Sequence, residues 1–201
     1  MVKTMGYSKF KKIRNVVKKF NLELQSVQLF GEIEKVEPSN WLQETLRMAD
    51  VSLLTSEKAK SERLISPILV EVFQAYKLKI SFFSGEQLNI RPNDDLAGEC
   101  DFFFSLHPPK PYIDAPIISL AEAKNEDMNW GIAQCAAQML GAKFFNEQEN
   151  KDIPFIYGCA TDGIEWQFLK LENDVYYVDT KIYTDLREIL GAWHHVINLF
   201  L

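Results

Sequence analysis

The stretch IISLAEAK, residues 117–124, decides how the rest of the chain is interpreted. Its first half is apolar and of strand length, and its second half presents a carboxylate and an ammonium group. Side chains alternate between the two faces of a strand, so Glu122 and Lys124 share one face while Ala121 and Ala123 occupy the other. The stretch therefore predicts a buried strand that brings two opposite charges to one end of a sheet.

A second carboxylate, Asp101, follows Gly98 in the upstream stretch GECD. If Asp101 lies on a neighbouring strand and on the same face as Glu122, two carboxylates converge beside Lys124. Carboxylate oxygens are ligands that Mg²⁺ prefers. Phosphodiester hydrolysis uses such an ion to activate water, and a nearby cation to stabilise the transition state. We therefore expect Asp101 and Glu122 to be metal ligands for Mg²⁺ or Mn²⁺, with Lys124 completing the catalytic set.

The surrounding patterns predict alternating helices and strands. Apolar spacing of three or four residues predicts helices at 7–20, after Pro38, at 57–77, at 129–146 and from Thr184 onward. Period-two alternation predicts strands at 78–82, 88–90, 99–106, 117–124, 155–160, 164–171 and 175–178, with a turn at Ser84-Gly85. This order indicates an α/β or α+β domain with a mixed sheet flanked by helices.

Two domain-level expectations accompany this order. Residues 1–55 are expected to form an N-terminal helical extension packed on the core, and residues 56–201 to form the domain that carries the site. Pro67 lies inside the 57–77 helix, so either the helix kinks there or Ser66 caps a second helix. We favour a single kinked helix.

The residues of the proposed site resemble a known nuclease family. Asp101, then Glu122-x-Lys124, then a helix with Gln134, resembles the PD-(D/E)XK (restriction-endonuclease-like) nuclease signature, with Cys100 where the family often has proline. The patterns Leu96-x-Gly98-x-x-Asp101 and Thr161-Asp162-Gly163-x-x-Trp166 resemble the N-terminal nuclease domains of type I restriction motor subunits. The resemblance covers roughly residues 56 to 180. It implies an αβββαβ core with the site at one sheet edge, and Mg²⁺-dependent cleavage of DNA.

The resemblance also implies auxiliary residues. Such nucleases usually add a carboxylate from the first core helix, for which Glu62 and Glu71 are candidates about 180° apart around a helix of 3.6 residues per turn. The apolar face of the 57–77 helix is centred nearer Glu62, so Glu62 is expected to be an auxiliary metal ligand. Gln134 either lines the cleft, as the family's helix glutamine does, or is a surface amide. Gln138, one turn further on, is expected to be a surface amide.

Charge is distributed unevenly along the chain. Residues 1–20 carry seven Lys and Arg side chains and no acid, so they contribute +7 to a net charge of −6 and leave −13 for the remainder. The basic segment is either the solvated face of an amphipathic helix, which is the commoner case, or a binding surface for nucleic-acid phosphates.

Several classes of protein are excluded or disfavoured by the sequence. No apolar run approaches the length of a bilayer span, and no secretory leader follows the N-terminal basic residues, so no membrane partner is expected. Cys100, Cys135 and Cys159 lack zinc-site spacing and fit free thiols in a cytoplasmic protein. The last helix is apolar to Leu201, which requires cover from the domain itself or from a second copy in a homodimer.

Two functional hypotheses remain open at this point. One is an Mg²⁺-dependent DNA endonuclease or exonuclease domain, favoured by the set of Asp101, Glu122 and Lys124. The alternative is a catalytically silent module of the same fold that serves binding or assembly, favoured by the acidic body of the chain.

Overall fold

A seven-stranded mixed sheet organises the residues described in this computed structural model, which are 6–50, 54–124 and 127–201. The strands are β1 (Glu23–Val27), β2 (Ser81–Gln87), β3 (Glu99–Ser105), β4 (Ile117–Ala123), β5 (Phe155–Thr161), β6 (Trp166–Glu172) and β7 (Val175–Asp179). The helices are α1 (Ile13–Phe20), α2 (Asn40–Asp50), α3 (Glu57–Lys60), α4 (Ser66–Tyr76), α5 (Met128–Gln148) and α6 (Leu186–Asn198). The expected mixed α/β architecture is confirmed.

The strand order across the sheet is β1-β7-β6-β5-β4-β3-β2. Strands β2, β3 and β4 run antiparallel to one another, and so do β5, β6 and β7. The two halves meet where β4 pairs with β5 in parallel. A parallel neighbour requires a crossover connection, which α5 supplies. The end of β4 and the start of α5 therefore lie at the junction between the two halves of the sheet.

Both faces of the sheet are covered. On one face, a core that includes Leu69, Ile118 and Trp193 packs the sheet against α4 and α6. On the other face, α1 and α5 pack against a core that includes Leu120 and Met139. Helix α5 is buried along most of its length, and its many alanines and glycines allow it to lie close to β4 and β5.

The N-terminal segment differs from the expectation of a helical extension. Residues 23–27 form β1, which pairs in parallel with β7 and extends the sheet. The side chains of β1 are mostly exposed, so its sequence carries no apolar alternation. Pairing with β7 satisfies backbone groups that an open sheet edge would leave without partners, which is why a polar segment becomes a strand here.

The turn expected at Ser84-Gly85 is also corrected. Strand β2 runs through both residues and pairs with β3 on either side of them. Gly85 has a φ of +69°, a conformation that glycine adopts at low cost, so the local backbone irregularity is absorbed without a reversal of the chain. Strand β2 therefore replaces the hairpin that the sequence suggested.

The helical run from Glu57 to Tyr76 is continuous, with a wide π-helical turn at Ser61–Ile65 between α3 and α4. In that turn the Ser66 amide donates to the carbonyl of Ser61, five residues earlier. Pro67 follows directly and has no amide hydrogen to donate, so the usual hydrogen-bond ladder cannot pass through it unchanged. The single irregular helix agrees with the favoured interpretation, and the extra residue in the turn re-phases the helix on either side.

The apolar stripe of α6 is covered by the chain itself. Ile189, Leu190, Trp193, Val196 and Ile197 are buried in the core, while Leu199 and Leu201 remain about half exposed. The stripe therefore no longer requires a second copy, and the homodimer stays a prediction without structural support. None of the helices within the described residues combines the length and apolar character needed to cross a bilayer.

Candidate active site

Asp101 and Glu122 lie at the same end of two paired strands. The antiparallel register pairs Phe102 with Ala121, so continuing it by one residue places Asp101 opposite Glu122. Residues directly opposite one another in an antiparallel pair project to the same face. Asp101 also accepts a hydrogen bond at 2.8 Å through Oδ2 from the backbone amide of Ala123. The fold thus brings together the two carboxylates that lie 21 residues apart in the sequence.

Glu122 is almost completely buried, with 1% of its surface exposed. Its Oε2 accepts a hydrogen bond at 2.7 Å from Nε2 of Gln138, and its Oε1 has no hydrogen-bond partner within the described residues. Burial raises the pKa of Glu122 well above its usual value, and the neighbouring charge of Asp101 raises it further. A buried carboxylate oxygen without a hydrogen bond is costly, so this atom requires a positive group nearby, and the ammonium group of Lys124 lies 3.4 Å away.

Lys124 supplies the positive charge beside the carboxylates. Its Nζ lies 3.4 Å from Oε1 of Glu122 and 3.4 Å from Oε1 of Glu57. Burial alone would lower the pKa of Lys124, but the negative charges of Glu122, Glu57 and Asp101 outweigh it and raise the pKa. Gly131 leaves room for this side chain, because a Cβ atom there would lie 3.1 Å from Cγ of Lys124. Lys124 is therefore held protonated at the mouth of the site.

Asp101 faces a cavity of about 380 Å³. Burial raises the pKa of Asp101, while the Ala123 amide and the charge of Lys124 act in the opposite direction. The cavity walls come from α3 and the adjoining π turn on one side and from β2, β3 and β4 on the other, and they are formed by Glu57, Lys58, Ser61, Glu62, Ser84, Gly85, Glu99, Asp101 and Ala123. The cavity is open to solvent, and of the two site carboxylates Asp101 lines it while Glu122 is buried behind it.

The helix glutamates are arranged differently from the expectation. Glu62 lines the same cavity as Asp101, but its side chain is 61% exposed and its nearest ion-pair partner is Lys58, at 3.7 Å. Glu57, which the sequence did not single out, contacts Lys124 instead. Glu71 lies elsewhere, where its carboxylate accepts hydrogen bonds from the backbone amide and hydroxyl of Ser39. The choice of Glu62 over Glu71 therefore selects the correct side of the helix, but Glu57 is the glutamate in contact with the cluster.

The two glutamines of α5 lie in different surroundings. Gln138, expected at the helix surface, is instead completely buried and donates to Glu122. Gln134, for which a cleft position and a surface position were both left open, is buried beside a neighbouring cavity of about 400 Å³ with Tyr7 and Glu99, and its Oε1 makes no hydrogen bond within the described residues. The apolar residues around Gln138 were the available indication, because a helix that is apolar on every side is buried and turns its amides inward.

The oxygens of Asp101 and Glu122 suit the requirements of Mg²⁺. Each carboxylate accepts a hydrogen bond through one oxygen, so an ion would contact Oδ1 of Asp101 and Oε1 of Glu122, and it would share Oε1 with the ion pair to Lys124. These are hard oxygen donors of the kind Mg²⁺ prefers, and Mg²⁺ commonly retains several water ligands, so two carboxylates are an adequate protein contribution. Within the described residues no group of three or more His, Cys, Asp or Glu side chains is arranged to hold a metal ion, and Glu62 does not join the pair. The two carboxylates thus fit the ion without the expected third ligand.

Chemically, this arrangement combines two converging carboxylates, one protonated lysine and an open cavity of moderate size. No protein-family model matches the chain, and no curated protein is significantly similar to it. The functional conclusion therefore depends on the geometry of these residues.

Proposed function

We propose that this chain is a metal-dependent nuclease domain of the PD-(D/E)XK type that hydrolyses phosphodiester bonds in DNA. The observation that carries the proposal is the placement of Asp101, Glu122 and Lys124 at one end of β3 and β4, with a buried oxygen of Glu122 left without a hydrogen bond. Surface strands often present Glu and Lys as solvated pairs, but Glu122 is buried, so its charge requires a specific partner.

The order of elements supports the same class. From Glu57 onward the chain forms a helix, then β2, β3 and β4, then α5, then β5. This is the helix, three-strand, helix, strand order implied by the resemblance, and the site lies where β3 meets β4. Strands β6 and β7 extend this arrangement on one side, and β1 closes the edge beyond them.

Asp101 and Glu122 would hold Mg²⁺ or Mn²⁺ through the two oxygens that are not committed to hydrogen bonds. When bound, such an ion lowers the pKa of a water molecule and neutralises charge on a phosphate. The Ala123 amide and Gln138 fix the orientation of the two carboxylates from behind. Groups held in this way need little reorganisation when substrate arrives.

Lys124 has a separate role. It is held protonated by three carboxylates, and its ammonium group lies 3.4 Å from Oε1 of Glu122, one of the two proposed metal ligands. A positive group at this position stabilises the charge that develops on the phosphate in the transition state. Its side chain has no core-packing duty comparable to that of the apolar residues of β4.

A catalytically silent module of the same fold is the second candidate. The exposed position of Glu62 favours it, since the third acidic ligand expected from the resemblance is not brought to the pair. The buried carboxylate of Glu122 argues against it, because a module that never binds a cation would gain stability from a side chain that cannot ionise at this position.

A nuclease assay separates the two candidates. Supercoiled plasmid, linear duplex and single-stranded DNA are incubated with the wild-type chain and with Asp101→Asn, in Mg²⁺, in Mn²⁺ and in EDTA. We expect metal-dependent cleavage of at least one substrate by the wild-type chain, and a large loss in Asp101→Asn. No cleavage of any substrate, together with no heat of Mg²⁺ or Mn²⁺ binding in calorimetry, would establish the silent module instead.

A further inference from the structure

The basic N-terminal segment divides into two groups with different surroundings. Lys9 and Lys19 both form ion pairs at 2.8 Å with the buried carboxylate of Asp95. Lys11, Lys12 and Arg14 form no ion pair within the described residues, and all three are exposed. The first group holds α1 against the loop that precedes β3. The second group has no ion-pair partner within the described residues, so its positive charge is not neutralised in this way. Lys3 lies outside the described residues.

Lys11, Lys12 and Arg14 surround a cavity of about 530 Å³. Its other walls come from the start of α1, from β1, β6 and β7 and from the beginning of α5, and they are formed by Ile13, Leu24, Ser26, Asp127, Asn129, Ile132, Gln167 and Val178. Three positive side chains face one carboxylate, Asp127, which is itself committed to capping α5. We call this cavity the basic cavity. A net positive cavity in a chain with a net charge of −6 indicates an anionic ligand.

The backbone adds to this positive character. The N-termini of α1 and α5 both open onto the basic cavity, since Lys12 and Asp127 are their N-cap residues. Helix α1 has no acidic residue in its first turn and no side-chain hydrogen bond at its N-cap. Positive side chains at the positive end of a helix dipole reduce stability, and an anion bound beside them offsets that cost.

An aromatic side chain connects the basic cavity to the candidate active site. Nζ of Lys11 lies 2.8 Å from the centroid of a Trp130 ring, and Nζ of Lys124 lies 5.1 Å from the centroid of a ring of the same residue. The two ammonium groups therefore approach one indole from two parts of the chain. Cations near an aromatic ring are attracted to its electrons, so Trp130 holds both of them in place. Trp130 therefore links Lys11 of the basic cavity to Lys124 of the candidate active site.

We propose that the basic cavity binds the sugar-phosphate backbone of duplex DNA and directs it to Asp101, Glu122 and Lys124, an inference that rests on the proposed nuclease function. The cavity offers charge and small polar groups, among them Ser26 and Asn129, which suit phosphate and sugar oxygens. DNA presents a phosphate on each strand about every 3.4 Å of helix axis, so its backbone can contact several of these positive side chains at once, which an isolated anion cannot.

Fluorescence anisotropy with a labelled 20-base-pair DNA duplex in EDTA tests the proposal without any cleavage. The test variant is the double substitution K12Q/R14Q. The control, K77Q/K79Q, removes the same charge from exposed lysines at the end of α4. We expect the test variant to weaken binding roughly tenfold and to reduce the slope of log K against log salt by about 1.8, since each phosphate contact contributes about 0.9. The control should bind like the wild-type chain.

Three results would overturn the proposal: no binding of the duplex by the wild-type chain, equal affinities of the test and control variants, or competition by polyglutamate as effective as competition by DNA. The last result would show a general anion surface. Because no divalent cation is present, the outcome is independent of cleavage. Binding that depends on Lys12 and Arg14 in a chain that never cleaves DNA would uphold the basic cavity and refute the nuclease.

Discussion

The side-chain amide of Gln138 donates a 2.7 Å hydrogen bond to Oε2 of Glu122, and both residues are buried between α5 and β4. This contact fixes the direction in which the other oxygen of Glu122 points. Gln138 is therefore a positioning residue that acts through Glu122. The same contact explains how a fully buried carboxylate is tolerated, since a hydrogen bond to a charged group typically contributes about 1.5–3 kcal/mol.

The first prediction concerns this contact. Gln138→Ala should lower the affinity for Mg²⁺ by about 10–100-fold, because partners that orient a metal ligand have effects of that size. Isothermal titration calorimetry with Mg²⁺ or Mn²⁺ measures it, and circular dichroism checks that the variant folds. Gln134→Ala is the matched control, one turn earlier on the same helix, and should bind like the wild-type chain. Equal affinities of the two variants for Mg²⁺ would contradict the positioning role of Gln138.

The second prediction separates the two glutamates near the cavity. Glu57→Gln removes a carboxylate that lies 3.4 Å from Nζ of Lys124 and helps to hold that group in position, so the cleavage rate should fall by up to about fivefold, in line with about 1 kcal/mol for a partly exposed ion pair. Glu62→Gln should have almost no effect, because Glu62 is exposed and pairs with Lys58. Single-turnover cleavage rates of the two variants provide the comparison. A larger loss of cleavage rate in Glu62→Gln than in Glu57→Gln would indicate that Glu62 is a metal ligand.

The third prediction is a pH dependence of stability in the metal-free chain. Burial raises the pKa of Glu122 in the folded state, so folding is favoured when this group is protonated and is weakened as the pH rises above the unfolded pKa of about 4.5. Glu122→Gln should therefore increase the free energy of unfolding at pH 7 to 8. The gain should shrink as the pH is lowered towards 4.5.

Urea denaturation in EDTA at several pH values measures this difference. Saturating Mg²⁺ should make the wild-type chain more stable than Glu122→Gln, because an ion bound only by the folded wild-type chain adds stability to that chain alone. A variant that is less stable than the wild-type chain at pH 8 in EDTA would contradict the raised pKa.

The fourth prediction links α1 to DNA binding. Lys12 occupies the N-cap of α1 in an extended conformation without capping the helix, so Lys12→Ser should raise the free energy of unfolding by about 1 kcal/mol. The same substitution should weaken binding of the DNA duplex, since it removes a charge from the basic cavity. Lys18→Ser, in the last turn of α1, is the control and should not stabilise the fold. An unstable Lys12→Ser variant would show that Lys12 has another structural role.

The sequence predicted the parts of the site that depend on strand periodicity. Residues 117–124 and 99–106 were predicted as strands almost to their observed bounds, and alternation placed Glu122 and Lys124 on a common face, whereas the pairing of Asp101 with Glu122 was only a condition that the strand register now meets. Helix α5 followed from local patterns as well. These features are local because each is determined by residues only a few positions apart.

The sequence could not predict the features that depend on contacts between distant elements. Residues 23–27 became a strand through pairing with β7, although their side chains are mostly exposed and show no apolar alternation. Glu57 reaches Lys124 because α3 is placed beside the end of β4, and the π turn before Pro67 changed the helical phase on which the choice of Glu62 was based. The contact of Gln138 with Glu122 depends on how closely α5 packs against the sheet. Sequence periodicity does not predict that distance.

The most direct test of the central claim is the rate of metal-dependent cleavage of supercoiled plasmid by the wild-type chain and by Lys124→Ala, purified in parallel. Lys77→Ala, which removes an exposed lysine at the end of α4, is the control. We predict that the wild-type chain and the control nick the plasmid in Mg²⁺ or Mn²⁺ and not in EDTA. Lys124→Ala should be slower by about 10²–10³-fold, the usual cost of losing one electrostatic contact to the transition state. Equal rates for the wild-type chain and Lys124→Ala would contradict the assignment of the active site to Asp101, Glu122 and Lys124.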